Sequence, residues 1–328
     1  MSIVSVTGAS GRLGNVLVRH LLARGDQVRV LVMPGDPQAA SLEGLELERV
    51  EGSVLDRPSL DALVEGAQGV YHLAALIDLG SDRAGKVWAV NVEGTRNVIA
   101  ACQAAGARMV HCSSHAALQR WPLEQPLDEQ RPLALDEKCA YHRSKAHAEE
   151  SVLEAVAAGL DAVVCSPATL TGPHDFAPSL FGGALIDLYK GKIPILLDVV
   201  CDYADSRDVV DAMIQAMLRG RKGERYLLSG QVLDMLELAA ILREVTGRAM
   251  PKRSLPLWVG WAALPFSLAI GALTGKPPIF TAGVLRAAVF NREVLHDKAA
   301  AELDFNPRSM RESLPDTLEW FRGRGWID

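Results

Sequence analysis

Thr7-Gly8-Ala9-Ser10-Gly11-Arg12-Leu13-Gly14 lies between an apolar run, residues 3–6, and a stretch with helical apolar spacing, residues 15–22. The order strand, glycine turn, helix gives these eight residues their meaning. Glycine has no Cβ, so the chain can bend sharply there and a ligand can come close to the backbone. The helix that follows offers unpaired N–H groups and the positive end of its dipole, which suits a phosphate. In this setting the stretch reads as the pyrophosphate cradle of a dinucleotide site rather than as a tight turn alone. Its candidate cofactor contacts are Gly8, Ser10, Gly11, Arg12, Leu13 and Gly14.

Beyond the turn the chain alternates. Strands are predicted over residues 27–33, 45–51, 69–74, 108–113 and 162–165, with helices over 60–64, 87–104 and 141–158. The strands are apolar almost throughout, as parallel strands covered on both faces are. Right-handed crossovers then give an α/β fold, a doubly wound parallel sheet of the Rossmann kind. After Pro167 the rhythm changes to a helix over 207–218, a strand over 225–228 and a mostly helical tail that includes 236–245 and 313–321. The predicted organisation is a dinucleotide-binding domain of residues 1–170 plus 201–229. A smaller, mostly helical substrate lobe, 171–200 plus 230–328, closes over the carboxyl ends of the strands.

Bulk properties narrow the function. At 328 residues and 49% hydrophobic content the chain can bury a large core and is not mainly disordered. A net charge of −6 and the lack of a long basic run argue against a nucleic-acid partner. The five cysteines are widely spread with no Cys-x-x-Cys, so no metal site is expected and the thiols are read as reduced and buried. Together with a start directly into a strand, without a signal-like segment, this predicts a cytoplasmic protein. Residues 254–275 carry no charge. Fully helical, they would span roughly 33 Å, about a bilayer core. Pro256, Gly260, Pro265 and Gly271 interrupt them. The preferred reading is a buried or pocket-lining helix pair; a weak contact with a membrane surface is the second and a span the third.

Chemistry enters at Tyr141-His142-Arg143-Ser144-Lys145, which opens the 141–158 helix. Tyrosine and lysine four residues apart share a helix face. An ammonium beside a phenol favours phenolate, and a phenol tuned that way can exchange a proton with an alcohol or carbonyl oxygen. The bland alternative is a solvated helix start. Ser113-Ser114 ends the 108–113 strand, on the edge where open α/β sheets place ligands. There a serine either donates to a substrate oxygen or closes its own turn. The glycine turn, the strand-end serine and the Tyr–Lys pair converge on one sheet edge, which favours catalysis.

The succession TGASGRLG (7–14), YHLAA (71–75), NVEGT (91–95), SS (113–114), YHRSK (141–145) and SPATLTGP (166–173) resembles the extended short-chain dehydrogenases/reductases, the NAD-dependent epimerase/dehydratase superfamily. The likeness covers essentially the whole chain. It implies Tyr141 as general acid/base, Lys145 as holder of the nicotinamide ribose and Ser114, rather than Ser113, as the carbonyl-orienting hydroxyl. It also implies Leu73, Ala74, Ala75, Asn91, Pro167 and Ala168 as cofactor contacts, with Asn91 and Thr95 as sheet-supporting positions near the cofactor. Residues 72–80, Gly247 and Thr274-Gly275-Lys276-Pro277-Pro278 are similar to the dihydroflavonol reductase and 3β-hydroxysteroid dehydrogenase branch. Sugar-nucleotide epimerases carry an arginine near Asp202-Tyr203, where Cys201 stands here, and cysteine makes no bidentate phosphate contact. Sugar dehydratases place an Asp-Glu pair after the strand-end hydroxyl, where this chain has His115-Ala116. Both departures favour simple hydride transfer on a less polar substrate.

Cofactor choice falls to the end of the second strand. A carboxylate there selects NAD, whereas an arginine accommodates the 2′-phosphate of NADP. Val32-Met33 offers neither, so the reading leans to NADP, with Met33 beside the ribose. Arg12 is read as solvated, with Arg12 or Arg29 as a phosphate contact in the alternative. Ser53 and Val54 stand where the resemblance puts the adenine, and Asp56 is read as a helix cap. Ile77, Asp78, His115 and Tyr203 are candidate substrate-pocket residues, Asp78 equally a loop cap. His111 is read as a satisfied core residue. The expected function is an NAD(P)-dependent oxidoreductase interconverting a secondary alcohol and a ketone on an apolar small molecule. The alternatives are a nucleotide-sugar epimerase with retained NAD and a non-catalytic NAD(P) sensor. The resemblance implies a homodimer through helices 87–104 and 141–158.

Overall fold

In the computed structural model, which describes residues 3–79, 82, 84–274 and 281–328, the apolar strands form one parallel sheet. Gly80 and residues 275–278, part of the similarity noted above, lie outside the described residues. The strands are β1 (Ile3–Thr7), β2 (Gln27–Val32), β3 (Glu48–Glu51), β4 (Gly69–His72), β5 (Arg108–Cys112), β6 (Ala162–Pro167) and, later in the chain, β10 (Arg225–Leu228). They lie in the order β3-β2-β1-β4-β5-β6-β10. Val4 pairs with Val28 on one side and Gly69 on the other, so the order reverses between β1 and β4. A doubly wound sheet opens a crevice at that reversal.

Helices cover both faces. On one lie α1 (Arg12–Ala23), α7 (Ser206–Arg219) and α11 (Asp297–Leu303), whose buried Val16, Leu17, Leu21, Met213 and Leu303 share a core with Val6 and Val30. On the other lie α2 (Arg57–Val64), α4 (Gly94–Ala105) and α5 (Ala140–Ala157), packed through Leu60, Val98, Ile99 and Val152. Asp56 caps α2 by accepting from Ser59 N at 3.1 Å, as expected of it. Ahead of α4 the short α3 (Lys86–Trp88) runs into a π-helical turn, Ala89–Glu93. One extra residue per turn there re-aims the side chains, Asn91 among them.

The remaining chain builds a second core. Short strands β7 (Thr169–Thr171), β9 (Val200–Asp205) and β11 (Gln231–Asp234) form one small sheet, β8 (Leu196–Leu197) and β12 (Ser254–Leu255) another. Helices α6 (Leu180–Tyr189), α8 (Met235–Thr246) and α12 (Met310–Gly323) pack on them through Leu185, Leu238, Leu242, Leu314 and Phe321. Two further helices, α9 (Leu257–Thr274) and α10 (Ala282–Ala287), follow β12.

The uncharged segment departs from its preferred reading. It forms one continuous helix, α9, rather than a buried pair, with Pro265 inside it. Pro265 is exposed. A proline on an exposed face leaves its unpaired carbonyl reachable by polar surroundings, which lets the helix continue. Trp258 is 68% exposed, Phe266 71% and Leu273 86%. No helix among the described residues is long and apolar enough to cross a membrane.

Candidate active site

The glycine turn meets the crevice at the reversal of strand order. Gly8 has φ +73°, and a Cβ on it would stand 2.6 Å from Ala74 N and 2.8 Å from the Leu73 carbonyl carbon. The ends of β1 and β4 thus close on each other with no room for a side chain. Leu73 N donates to Thr7 O at 3.2 Å, and Ala74 N to the Thr7 hydroxyl at 3.3 Å. At Gly14 a Cβ would lie 2.1 Å from Gly8 O. Gly11 caps α1 without any side-chain acceptor, which leaves the first N–H groups of the helix to a ligand. A bare helix start on a turn that excludes Cβ atoms fits a dinucleotide pyrophosphate. Gly8→Ala is therefore expected to weaken cofactor binding and stability together. The left-handed conformation alone costs about 1–2 kcal/mol in an alanine, and each ~1.4 kcal/mol taken from the bound state is about tenfold in affinity. Calorimetric titration with NAD(P) reads the effect; an unchanged affinity would show that the turn is not the cradle.

Around this turn several expectations are revised. Arg12 is not solvated. Its guanidinium turns across to residues 172–179, donating to Gly172 O at 2.8 Å and Ser179 Oγ at 3.1 Å and pairing with Asp175 at 3.3 Å. It ties the glycine turn to the chain that leaves the sheet. Arg29 pairs with Glu48 at 2.8 Å and donates to the Glu65 carbonyl at 2.7 Å, so it too is committed elsewhere. Met33 is exposed. A carboxylate that sequence reading passes over, because it looks for one at Val32-Met33, lies here instead: Asp36 accepts from the Ser10 hydroxyl at 2.6 Å. It follows Gly11 and Gly14 by a little over twenty residues, the interval at which a ribose-binding carboxylate is sought. Ser53 opens the turn before α2, its hydroxyl accepting from Leu55 N at 3.2 Å, and Val54 packs against Gly94.

Tyr141 stands half-buried at the head of α5, and Ser114 lies just past β5. Ser114 Oγ accepts from Ala116 N at 3.1 Å, which leaves its proton to donate, and its presence draws the pKa of the Tyr141 phenol down. Lys145 is buried and donates to the Cys112 carbonyl at 2.6 Å. The three groups anticipated from sequence are thus gathered where β5 ends. Their electrostatics differ from expectation. Desolvation by the surrounding protein raises the Tyr141 pKa above the ordinary phenol value, only partly countered by Ser114. Burial lowers that of Lys145, against the pull of the Cys112 thiol and Glu149. The ammonium is spent on a backbone carbonyl, and the phenol is held as the protonated acid. Ser113 points away, donating to Glu149 at 2.5 Å.

Behind the site runs a buried chain of hydrogen bonds. Thr7 Oγ1 meets His72 Nδ1 at 2.7 Å, and His72 Nε2 meets Thr95 Oγ1 at 2.9 Å. Thr95 donates to Asn91 O at 2.6 Å. Asn91 accepts from Leu76 N at 2.7 Å and donates to Ser144 Oγ at 2.9 Å. The π-helical turn thereby joins α5 to the loop after β4. His72 is kept neutral, its pKa pulled down to about 3 by burial and then by the Lys145 charge. His111 is buried as expected but not satisfied, since neither ring nitrogen has a hydrogen-bond partner among the described residues.

The pocket candidates divide. Ile77 and Asp78 are exposed in the loop after β4. His115 is half-buried, its ring 4.6 Å from that of Phe290 and its Nδ1 3.7 Å from the buried Asp202 carboxylate. Tyr203 is corrected: it lies in the second core, its ring tilted against that of Phe181 at 4.8 Å and its hydroxyl on Met235 Sδ. An aromatic ring in a short strand between two apolar helices is core, whichever lobe covers the cleft. Pro167 and Ala168 are buried where β6 ends, Ala168 N donating to Leu228 O at 3.3 Å. All five cysteines are free thiols.

Residues 4–229 match the NAD dependent epimerase/dehydratase family. The chain belongs to that family. It is 34% identical to "Sterol demethylase protein B" of Methylococcus capsulatus over 98% of this chain and 99% of that protein. It is 32% identical to a "Putative dihydroflavonol 4-reductase" of Synechocystis sp. over 98% and 95%. The crystal structure of gox2253 superposes with a TM-score of 0.87 at 29% identity, covering 100% of both chains. This member of the epimerase/dehydratase family is accordingly an NAD(P)-dependent enzyme of the short-chain dehydrogenase/reductase type with a small-molecule substrate.

Proposed function

We propose that the enzyme interconverts a secondary alcohol and a ketone on an apolar, lipid-like molecule met at a membrane surface. The observation that carries this reading is the cluster of Ser114, Tyr141 and Lys145 where β5 ends, with Ser114 drawing the phenol pKa down and Lys145 fixed on the Cys112 carbonyl. Bound NAD(P) supplies or accepts the hydride. Tyr141 gives its proton to the carbonyl oxygen, and its raised pKa keeps that proton in place at neutral pH, so reduction needs no prior ionisation. Ser114, already oriented by Ala116 N, donates to the oxygen as negative charge develops, an effect worth roughly 3 kcal/mol at a preorganised donor. Lys145 and Asn91 hold the backbone around the site and, on this reading, the cofactor. The apolar substrate class is supported by the uncharged α9 and by the name of the Methylococcus relative, a sterol demethylase component. A homodimer through α4 and α5 belongs to the same reading.

The test is a panel of sterols, long-chain secondary alcohols and their ketones, followed through the nicotinamide absorbance. Turnover on the apolar members sustains the reading. Conversion of nucleotide sugars with retained NAD and no net reduction, or cofactor binding with no turnover at all, overturns it.

For the cofactor we read NAD, reversing the lean drawn from Val32-Met33. A carboxylate on Ser10 repels a 2′-phosphate, and neither Arg12 nor Arg29 is available to offset it. One unit-charge repulsion at close range costs about 1–4 kcal/mol. Asp36→Ala is therefore expected to raise the NADP-to-NAD ratio of kcat/KM by about tenfold. An unchanged ratio would place the ribose elsewhere.

A further inference from the structure

Helix α9 is apolar on every side yet lies at the surface, where such helices are rare unless something covers them. Its charge surroundings say what. Between Glu244 and Glu293 the sequence holds no acidic residue and six basic ones, in a chain whose net charge is −6. Lys252 and Arg253 are exposed just before the helix. Arg286 of α10 is exposed as well, its guanidinium 5.9 Å from the Trp261 ring. Trp258 and Trp261 lie at the same end as these cations, and Phe266, Leu268 and Leu273 are exposed along the rest. Interfacial tryptophans, flanking cations and an exposed apolar length are the parts of a helix that lies in a bilayer surface.

We propose that α9 docks the enzyme on an anionic lipid bilayer, lying along the headgroup boundary with Lys252, Arg253 and Arg286 against lipid phosphates. The helix is not free on all sides, as a span would be. At Gly260 a Cβ would stand 2.9 Å from Leu285 of α10 and 3.1 Å from Leu197 of β8, so one side is fixed to the protein.

Helix α10 carries the surface inward. A Cβ at Gly283 would collide with Leu79 O at 1.7 Å, so α10 lies directly on the loop that holds the exposed Leu76 and Ile77. A few residues on, the Phe290 ring packs tilted against His115, beside Ser114. Apolar surface thus leads from the docking helix past α10 to the catalytic candidates, a route for a lipid-borne substrate. That delivery step rests on the hydride-transfer reading; the docking does not.

The experiment is flotation of the full chain with vesicles of phosphatidylglycerol and phosphatidylcholine, against vesicles of phosphatidylcholine alone. The wild type should float with the anionic vesicles, less so at high salt. The Phe266→Glu/Leu273→Glu variant, altered at two exposed positions, should stay at the bottom. Lys252→Gln/Arg253→Gln should bind anionic vesicles roughly thirty-fold more weakly, from about 1 kcal/mol per basic residue. Docking is overturned if the wild type does not float, if the double-glutamate variant floats equally, or if that variant instead splits a solution dimer, which would make the face a protein interface. Turnover of a water-soluble ketone is read separately. Its absence in a wild type that floats counts against hydride transfer and leaves the docking intact.

Discussion

Tyr141→Phe is expected to lower turnover by about 10²–10⁴-fold, the range for loss of a positioned general acid, with cofactor affinity nearly unchanged. The substitution removes one oxygen and keeps the ring that packs at the head of α5. Ser114 keeps its own hydrogen bond, its Oγ accepting from Ala116 N at 3.1 Å. Nor does Lys145 lose its hydrogen bond, which runs to Cys112 O and not to the phenol. A loss of rate without a loss of binding or of melting temperature would therefore report the proton alone. Because the surroundings raise the phenol pKa, the wild-type rate of ketone reduction should also stay level across neutral pH and fall only in alkali. Steady-state kinetics with both proteins decide the matter: a phenylalanine variant with full activity removes Tyr141 from the chemistry.

The fold was legible because its signals are local. Apolar strands between helices, a glycine turn after the first strand and Tyr141 four residues before Lys145 are all visible within short windows. What stayed hidden depends on distant partners. Arg12 looks solvated beside its own neighbours, and only the approach of Gly172 and Asp175, some 160 residues on, shows where it goes. Asp36 has the expected interval from the glycine turn but lies beyond Val32-Met33, the end of the second strand, and the loop after β2 folds back to bring it to Ser10. Tyr203 and the 254–275 segment fail for opposite reasons. Aromatic character marks an interior position as readily as a pocket wall, and an uncharged helix reads as interior although this one is displayed. The family resemblance implies Asn91, but the π-helical turn that aims it has no signature in residue type.

Acid should unfold this enzyme early, and the histidines behind the site are the cause. His72 is held near a pKa of about 3 and His142 near about 4, chiefly by burial, while burial puts His111 well below its ordinary value. In the unfolded chain each titrates near 6.5. Between those values the unfolded chain binds protons that the folded one refuses. The stability contributed by neutral imidazole is therefore complete above about pH 6.5 and is lost as pH falls toward the folded values. Each histidine adds a slope that approaches about 1.4 kcal/mol per pH unit below pH 6.5, so three together approach about 4 kcal/mol per unit near pH 5, a large share of the 5–15 kcal/mol typical of a folded protein. Carboxylates held low, such as Glu302 with its pKa pulled down to about 2, act only below their unfolded value near 4.5, so the higher window belongs to the histidines. Urea midpoints at successive pH values between 7 and 5 measure the slope. His111→Leu sharpens the attribution, since it removes a buried ring whose nitrogens have no partner among the described residues. Replacing such a group with an apolar one of similar size is neutral or stabilising. The variant should match or exceed the wild type at pH 7 and lose about 1.4 kcal/mol per unit from the slope. A wild type whose stability is flat over that range would mean that these imidazoles reach water or one another, and that the chain Thr7–His72–Thr95–Asn91 is not the rigid support that positions the loop after β4 beside α5.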